Sequence, residues 1–180
     1  MNVALREPWT IDRFLAWEDK QEGRHEFDGV RTIEVTGGTR AHQRIISNLV
    51  RLLEDALDPA RFDAAPEMRL EVAGRIRYPD VSVVAGRVPD AIRTLSDAVV
   101  LFEVVSQDSA GVDRGDKRAE YAGLPSMQRY VILEQTEASA TVFARTDQGW
   151  TETEARIELS LPELGLVLPF AAIYRGVRFD

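Results

Sequence analysis

Two carboxylates stand out by where the chain puts them. Glu103 interrupts a run from Val99 to Val105 that is otherwise wholly apolar, the pattern of a strand buried on both faces. Burying an unpaired carboxylate is expensive, so such a residue needs a partner. Asp80 follows Tyr78-Pro79. Proline lacks an N–H and biases its predecessor toward extended geometry, so Asp80 stands at the entry to the strand Asp80-Val81-Ser82-Val83-Val84. If the two strands are neighbours, both carboxylates point to one place, where they repel and desolvation adds to the penalty. A divalent cation relieves both effects. With the backbone carbonyl of Val104 or Val105 and some waters, Asp80 and Glu103 make a magnesium-type oxygen set. Lys117, in the charged stretch "DRGDKRAEY", adds a group able to orient or deprotonate a water, or to offset charge on a phosphate.

Four more residues are candidates. Glu26 precedes Phe27-Asp28-Gly29 and offers a further acid. His42 opens a long helical pattern, and either caps that helix or contacts phosphate. Ser106 and Gln107 leave the end of the Glu103 strand, where they touch a ligand or cap the next helix. Each candidate has an ordinary alternative. Asp80 can be a turn residue, Glu103 an arginine-paired strand residue, Glu26 an edge charge and Lys117 part of a solvated helix face.

The elements that must position these groups are legible in the pattern. "TIDRFLAWEDK" has helical spacing, with Thr10 or Asp12 as its cap. "HEFDGVRTIEVT" alternates around Asp28-Gly29, a hairpin signal. "TRAHQRIISNLVRLLEDAL" carries an apolar stripe at Ile45, Ile46, Leu49, Leu52, Leu53, Ala56 and Leu57, stopped by Asp58-Pro59. "RFDAAPEMRLEV" and "RIRYPDVSVVAG", joined by Ala73-Gly74, predict a hairpin. The Glu103 strand follows, then a helix over "DRGDKRAEYAGL" ended by Gly123 and Pro125, then the strands "MQRYVILEQ" and "SATVFARTDQGWTETEARIEL". "LPFAAIYRGV" predicts a short last helix. The class is α/β or α+β: a mixed central sheet flanked by helices, with an N-terminal hairpin and a long helix, in one domain over residues 1–180.

The chain of 180 residues suits one sizeable core. It has no cysteine and two histidines, His25 and His42. Thiolate zinc sites and disulfides are therefore excluded, and oxygen ligands favour magnesium, manganese or calcium. The net charge of −8 argues against a general nucleic-acid-binding surface but leaves room for a local basic stripe. Arg69, Arg75, Arg77, Arg87 and Arg93 are the expected stripe; a shared face with the site would attract phosphate, and pairing with Glu67 or Glu71 would cancel that. The N-terminus lacks a signal-peptide core and no run spans a membrane, so the expected place is the cytoplasm, in bacterial style.

Taken in order, these features resemble the Uma-two family of restriction endonucleases, within the PD-(D/E)XK nuclease superfamily. The matching features are "HEFDG", "AHQRIISNLVRLL", "RYPDVSVV" and "VVLFEVVSQDS", then a helix with Lys117 and Tyr121, and a strand after the Gly123-x-Pro125 turn. The resemblance covers roughly residues 10–175. It implies a restriction-endonuclease-like fold and Asp80 and Glu103 as ligands, with Val104, of one or two Mg2+ or Mn2+ ions. It also implies metal-assisted hydrolysis of phosphodiesters, DNA first among them, and a homodimer by analogy. The superfamily's usual lysine lies two residues after the second acid. Val105 stands there, and Lys117 resembles a migrated replacement. "Ser-Gln-Asp-Ser" also departs from the family's commoner Ser-Pro-Ser-Thr.

Two other readings stay open. One is a nuclease-fold module with a weak or inactive site and a binding or assembly role, favoured by the net charge and by Val105. The other is a small-molecule or nucleotide enzyme using the same pocket. Against the latter, "VTGGTR" lacks the Lys-Ser/Thr ending of a phosphate loop and reads instead as a hairpin turn.

Overall fold

The computed structural model describes residues 9–35, 37–105, 115 and 117–179. Helix α1 (Ile11–Glu18) begins at Thr10, whose hydroxyl accepts the Arg13 N–H at 3.2 Å. Thr10 rather than Asp12 is therefore the cap. Phe14 of α1 stacks on Phe27, with ring centroids 5.2 Å apart. Strands β1 (His25–Phe27) and β2 (Thr32–Glu34) form the expected hairpin. Its turn is held by Asp28, whose carboxylate accepts the N–H groups of Val30 and Arg31.

Helix α2 (Arg40–Ala56) starts at Thr39, whose hydroxyl accepts the His42 N–H. The capping alternative for the His42 side chain is thus overturned: a hydroxyl at the N-cap reaches that orphan amide, and the imidazole is free to turn elsewhere. Within "VTGGTR", Gly37 to Thr39 form an irregular lead into α2, which begins at Arg40, in place of the expected hairpin turn. Ile45, Ile46, Leu49 and Leu53 are buried, as the stripe requires.

The segment from 62 to 85 is divided between two sheets. Strands β3 (Phe62–Pro66), β4 (Arg69–Val72), β5 (Arg75–Arg77) and β6 (Val81–Ala85) follow one another. β4 and β5 pair across Ala73-Gly74, both at positive φ, which suits a tight hairpin. β3 instead pairs with β6. Glu67 takes a φ of 50° between β3 and β4, and Pro79 removes a donor between β5 and β6. The ladder therefore breaks on both sides of the hairpin, and the outer strands join another sheet.

With β7 (Thr94–Leu95), the first sheet has the order β2-β1-β5-β4-β7. The second contains β8 (Val100–Val105), β9 (Arg129–Glu134), β10 (Ala140–Thr146) and β11 (Gly149–Ala155), in the order β11-β10-β9-β8-β6-β3. β8 runs antiparallel to β6 and parallel to β9, so the sheet is mixed. Helix α3 (Arg118–Ala122) ends at Gly123. The hairpin of β12 (Glu158–Leu161) and β13 (Leu166–Pro169) leads into α4 (Phe170–Ile173).

Every residue of β8 is buried. Val100, Phe102 and Val104 pack with Ile45, Leu49 and Leu53 of α2. Leu101 and Val105, on the other face, pack with Tyr121 and Tyr130. By alternation Glu103 belongs to this second face, toward α3. Among the described residues, no helix is long and apolar enough to cross a membrane.

Candidate active site

The strands fix the spacing of the two acids. β6 and β8 pair with Val81 opposite Phe102, so one step further along the register sets Asp80 opposite Glu103. The condition on which the sequence argument rested is met: the two strands are neighbours.

The strand end also locks Asp80. Its Oδ2 accepts the Val104 N–H at 2.6 Å, and its Oδ1 lies 3.3 Å from His42 Nε2. His42 Nδ1 lies 3.0 Å from the Val104 carbonyl oxygen. Both contacts of the ring are to acceptors, a setting that favours the doubly protonated ring, in which both nitrogens donate. Burial pulls the His42 pKa down, but the hydrogen bond and charge of Asp80, the Val104 carbonyl and the charge of Glu103 outweigh it, and the net shift is upward. Gly38 makes the arrangement possible, because a Cβ there would overlap the imidazole. The two glycines of "VTGGTR" thus have a packing reason at the second position.

Glu103 is received by α3. Its Oε1 accepts from Tyr121 Oη at 3.1 Å and from Lys117 Nζ at 3.2 Å. Lys117 Nζ also lies 3.3 Å from Glu26 Oε1. The solvated-face alternative for Lys117 is therefore overturned: the ammonium is drawn in by two carboxylates. Glu26 in turn accepts from Arg77 Nη1 at 3.1 Å and from the Tyr78 N–H at 3.3 Å. The same guanidinium grips Glu120 of α3 with two bonds, of 2.7 and 2.8 Å. Arg77 thereby ties β5, β1 and α3 together and sets the position of Lys117, one residue before α3. Burial, followed by the charges of Glu103 and Glu26, raises the Tyr121 pKa well above its usual range, so its hydroxyl stays a donor.

A cleft of about 340 Å³ opens over these groups, lined by Glu26, Gly38, His42, Asp80, Glu103 and Lys117 among others. A roomier hollow of about 620 Å³ lies beside Arg31, Arg75 and Glu120. Its charged groups are already paired with one another, so chemistry rather than volume selects the smaller cleft.

Of the expected site residues, Glu26, His42, Asp80, Glu103, Val104 and Lys117 come together. Ser106 and Gln107 lie outside the described residues. Tyr121 and Arg77 emerge as contacts of the site that the sequence reading did not place there, Arg77 having been grouped with the basic stripe; for Tyr121, its place four residues after Lys117 on the same helical face was the available signal. The expected arginine stripe is neutralised. Arg69 pairs with Glu18 and Asp19, Arg93 with Asp19, Arg75 and Arg77 with Glu120, and Arg87 with Asp90. The partners are not Glu67 and Glu71, but the effect is the same: those cations serve the fold's own carboxylates.

The donor chemistry suits a hard cation. Carboxylates of Asp80 and Glu103 and the Val104 carbonyl face one cleft and offer oxygen only. Among the described residues, no group of three or more His, Asp or Glu side chains is placed to hold a metal. An ion here would keep several waters, as Mg2+ does.

The comparisons with known proteins concern the family and the fold. A family model described as "Uma2: Putative restriction endonuclease" matches residues 11–172. Two uncharacterized proteins of Synechocystis sp. (strain PCC 6803) are each 27% identical; the alignments cover 93% of this chain and 92% of one relative, and 91% and 99% for the other. The crystal structure of a protein from Anabaena variabilis, titled a "putative nuclease belonging to DUF820", superposes with a TM-score of 0.76 at 17% identity, over 93% of this chain and 98% of that one. The superposition shows a shared fold.

Proposed function

The chain belongs to the Uma2 family, and on that premise we propose that it is a metal-dependent endonuclease cutting the phosphodiester bonds of nucleic acid, DNA foremost. The observation that carries the reading is the meeting of Asp80, Glu103, the Val104 carbonyl and Lys117 at one strand end. In this reading Asp80, Glu103 and Val104 hold Mg2+ or Mn2+. The cation, when bound, supplies a more acidic nucleophilic water and positive charge opposite the transition state. Lys117 is anchored by Glu103 and Glu26, and its ammonium, held at the cleft, would position the water or offset phosphate charge. Glu26 holds that lysine and orients water at the cleft edge. Tyr121 fixes the rotamer of Glu103, and Arg77 positions Lys117 through Glu120. His42 stands where a phosphate oxygen of the substrate meets the site. A cut through both strands takes two such cores, so a homodimer is part of the proposal.

The test is a thermal-shift titration with Mn2+ and Mg2+ on the wild type and on Glu103→Ala. A cation at about 100 times its Kd adds about 2.7 kcal/mol to a fold that alone binds it. The expected result is a rise in melting temperature that disappears in Glu103→Ala. An equal rise in both proteins sinks the assignment of Glu103.

One observation favours a second reading, a nuclease-fold module without efficient cleavage. His42 already bridges Asp80 and the Val104 carbonyl, which are acceptors a metal would use, and Val105 fills the usual lysine position. Absence of a melting shift in the wild type with either cation would favour this reading.

A further inference from the structure

We propose that the cleft between the first turns of α2 and the turn after α4, lined by Arg40, Arg44 and Arg178, binds the phosphodiester backbone of a polynucleotide. This deepens the nuclease reading and rests on it for the identity of the ligand. The cleft measures about 410 Å³, and the described residues that line it are Arg40, Ala41, Arg44, Gly176, Val177 and Arg178, with no carboxylate among them. Among the described residues, none of the three guanidinium groups has an ion pair or a hydrogen bond, in contrast to the paired arginines of the first sheet. In a chain of net charge −8, three cations left together without a counter-charge call for an anion. Arg40 and Arg44 are one helical turn apart and repel each other; a bound phosphate removes that repulsion.

The cleft is built by fixed contacts. Asn48, buried on α2, donates from Nδ2 to the carbonyls of Ile173 at 2.8 Å and Arg175 at 3.0 Å. That clamp fixes the last turn against α2 and brings Arg178 to the helix. Gly176 has a φ of +77°, and a Cβ there would lie 2.5 Å from Arg44 Nη1. The positive φ of Gly176 serves the turn, and the guanidinium at the end of the flexible Arg44 side chain rests close beside it.

Its place relative to the candidate active site suits a continuous strand. His42 turns to Asp80, while Arg40 and Arg44, each two residues away, lie on nearly the opposite side of α2. The separation is about one helix diameter, on the order of 10 Å. A strand leaving Asp80 and Glu103 would pass around α2 to reach the arginines, which would therefore meet phosphates several nucleotides from that bond.

The experiment uses the triple variant Arg40→Gln, Arg44→Gln, Arg178→Gln, which keeps much of each aliphatic stem and removes the charge. Fluorescence anisotropy of a labelled DNA duplex and of single-stranded RNA of matched length, in a metal-free buffer, gives affinity against salt. The two arms decide which polynucleotide is preferred. Each lost phosphate contact flattens the plot of log K against log salt by about 0.9 for duplex DNA, so a decrease in slope of about 2 to 3 is expected. The same proteins are assayed with Mn2+ on bis(p-nitrophenyl) phosphate, a diester whose single phosphate, once at the active site, leaves none for the cleft, and the expected rates are equal. Unchanged affinity and slope in the triple variant, or no binding of either polynucleotide by the wild type, overturns the inference. Failure of both proteins to hydrolyse the small diester counts against the nuclease reading alone, because binding at the cleft is read separately.

Discussion

The cations on the two sides of α2 are in opposite situations. Toward β8, His42 meets Asp80, Lys117 meets Glu26 and Glu103, and Arg77 meets Glu26 and Glu120, all in or near the interior. On the far side, Arg40, Arg44 and Arg178 share a cleft with no acid among the described residues that line it. Burial explains the first group. A charge removed from water is tolerated only with a partner, so this network must form for the chain to fold, whatever else it does. Folding places no such demand on the second group, since cations at the surface keep their hydration. The paired side is where the protein's own chemistry is assembled; the unpaired side has its charge left over for something else.

Stability separates the two most sharply. Arg77→Met leaves Glu26 and Glu120 buried beside an apolar side chain. The expected loss is about 3–5 kcal/mol, measured by urea denaturation. Arg44→Met, the same exchange on the far side, is expected to change stability by no more than about 0.5 kcal/mol. Comparable losses at the two positions would break the distinction drawn above.

That contrast also sets what could be read from the sequence. Strand β8 was legible because a nearly unbroken apolar run has few other uses, and Glu103 was conspicuous for the same reason. Asp80 was legible through Pro79. The long helix and the hairpin at Asp28-Gly29 followed from periodicity and turn chemistry. The division of residues 62–85 between two sheets did not follow, because the alternation of a strand does not say which neighbour it pairs with. Lys117 looked like part of a charge run; its burial depends on Glu26, 91 positions away. Arg77 was grouped with the expected basic stripe, since local sequence cannot show a guanidinium turned inward. The arginine cleft joins residues of α2 to residues after α4, a proximity made by Asn48 and invisible to spacing.

A smaller effect sharpens the comparison inside the paired side. Tyr121→Phe removes one donor from Glu103 and leaves Lys117 in place. A hydrogen bond to a charged group contributes about 1.5–3 kcal/mol, and the remaining ammonium keeps the loss near the lower end. The Tyr121 pKa is raised above its ordinary value by burial and by the charges of Glu103 and Glu26, so the hydroxyl donates across the whole neutral range. The deficit of Tyr121→Phe should therefore stay constant from mildly acidic to mildly alkaline pH in urea titrations. A deficit that vanishes at alkaline pH would mean that the phenol ionises, contrary to its burial.

His42 gives the smallest effect, and one that does vary with pH. Its folded pKa is raised above the ordinary histidine value of 6.5: burial lowers it, but Asp80, the Val104 carbonyl and Glu103 prevail. A raised pKa means that the folded state holds the proton more tightly than the unfolded chain. The resulting stabilisation is fully present below the unfolded value and is lost as pH rises through the folded value. One proton limits the slope to about 1.4 kcal/mol per pH unit. In metal-free buffer the wild type is therefore expected to lose stability relative to His42→Gln as pH climbs from about 6 through the neutral range. Parallel stability curves for the two proteins would show that the ring is not the cation bridging Asp80 and Val104. The paired side would then have one charge fewer than its geometry implies, and the neutral ring would donate to only one of Asp80 and the Val104 carbonyl.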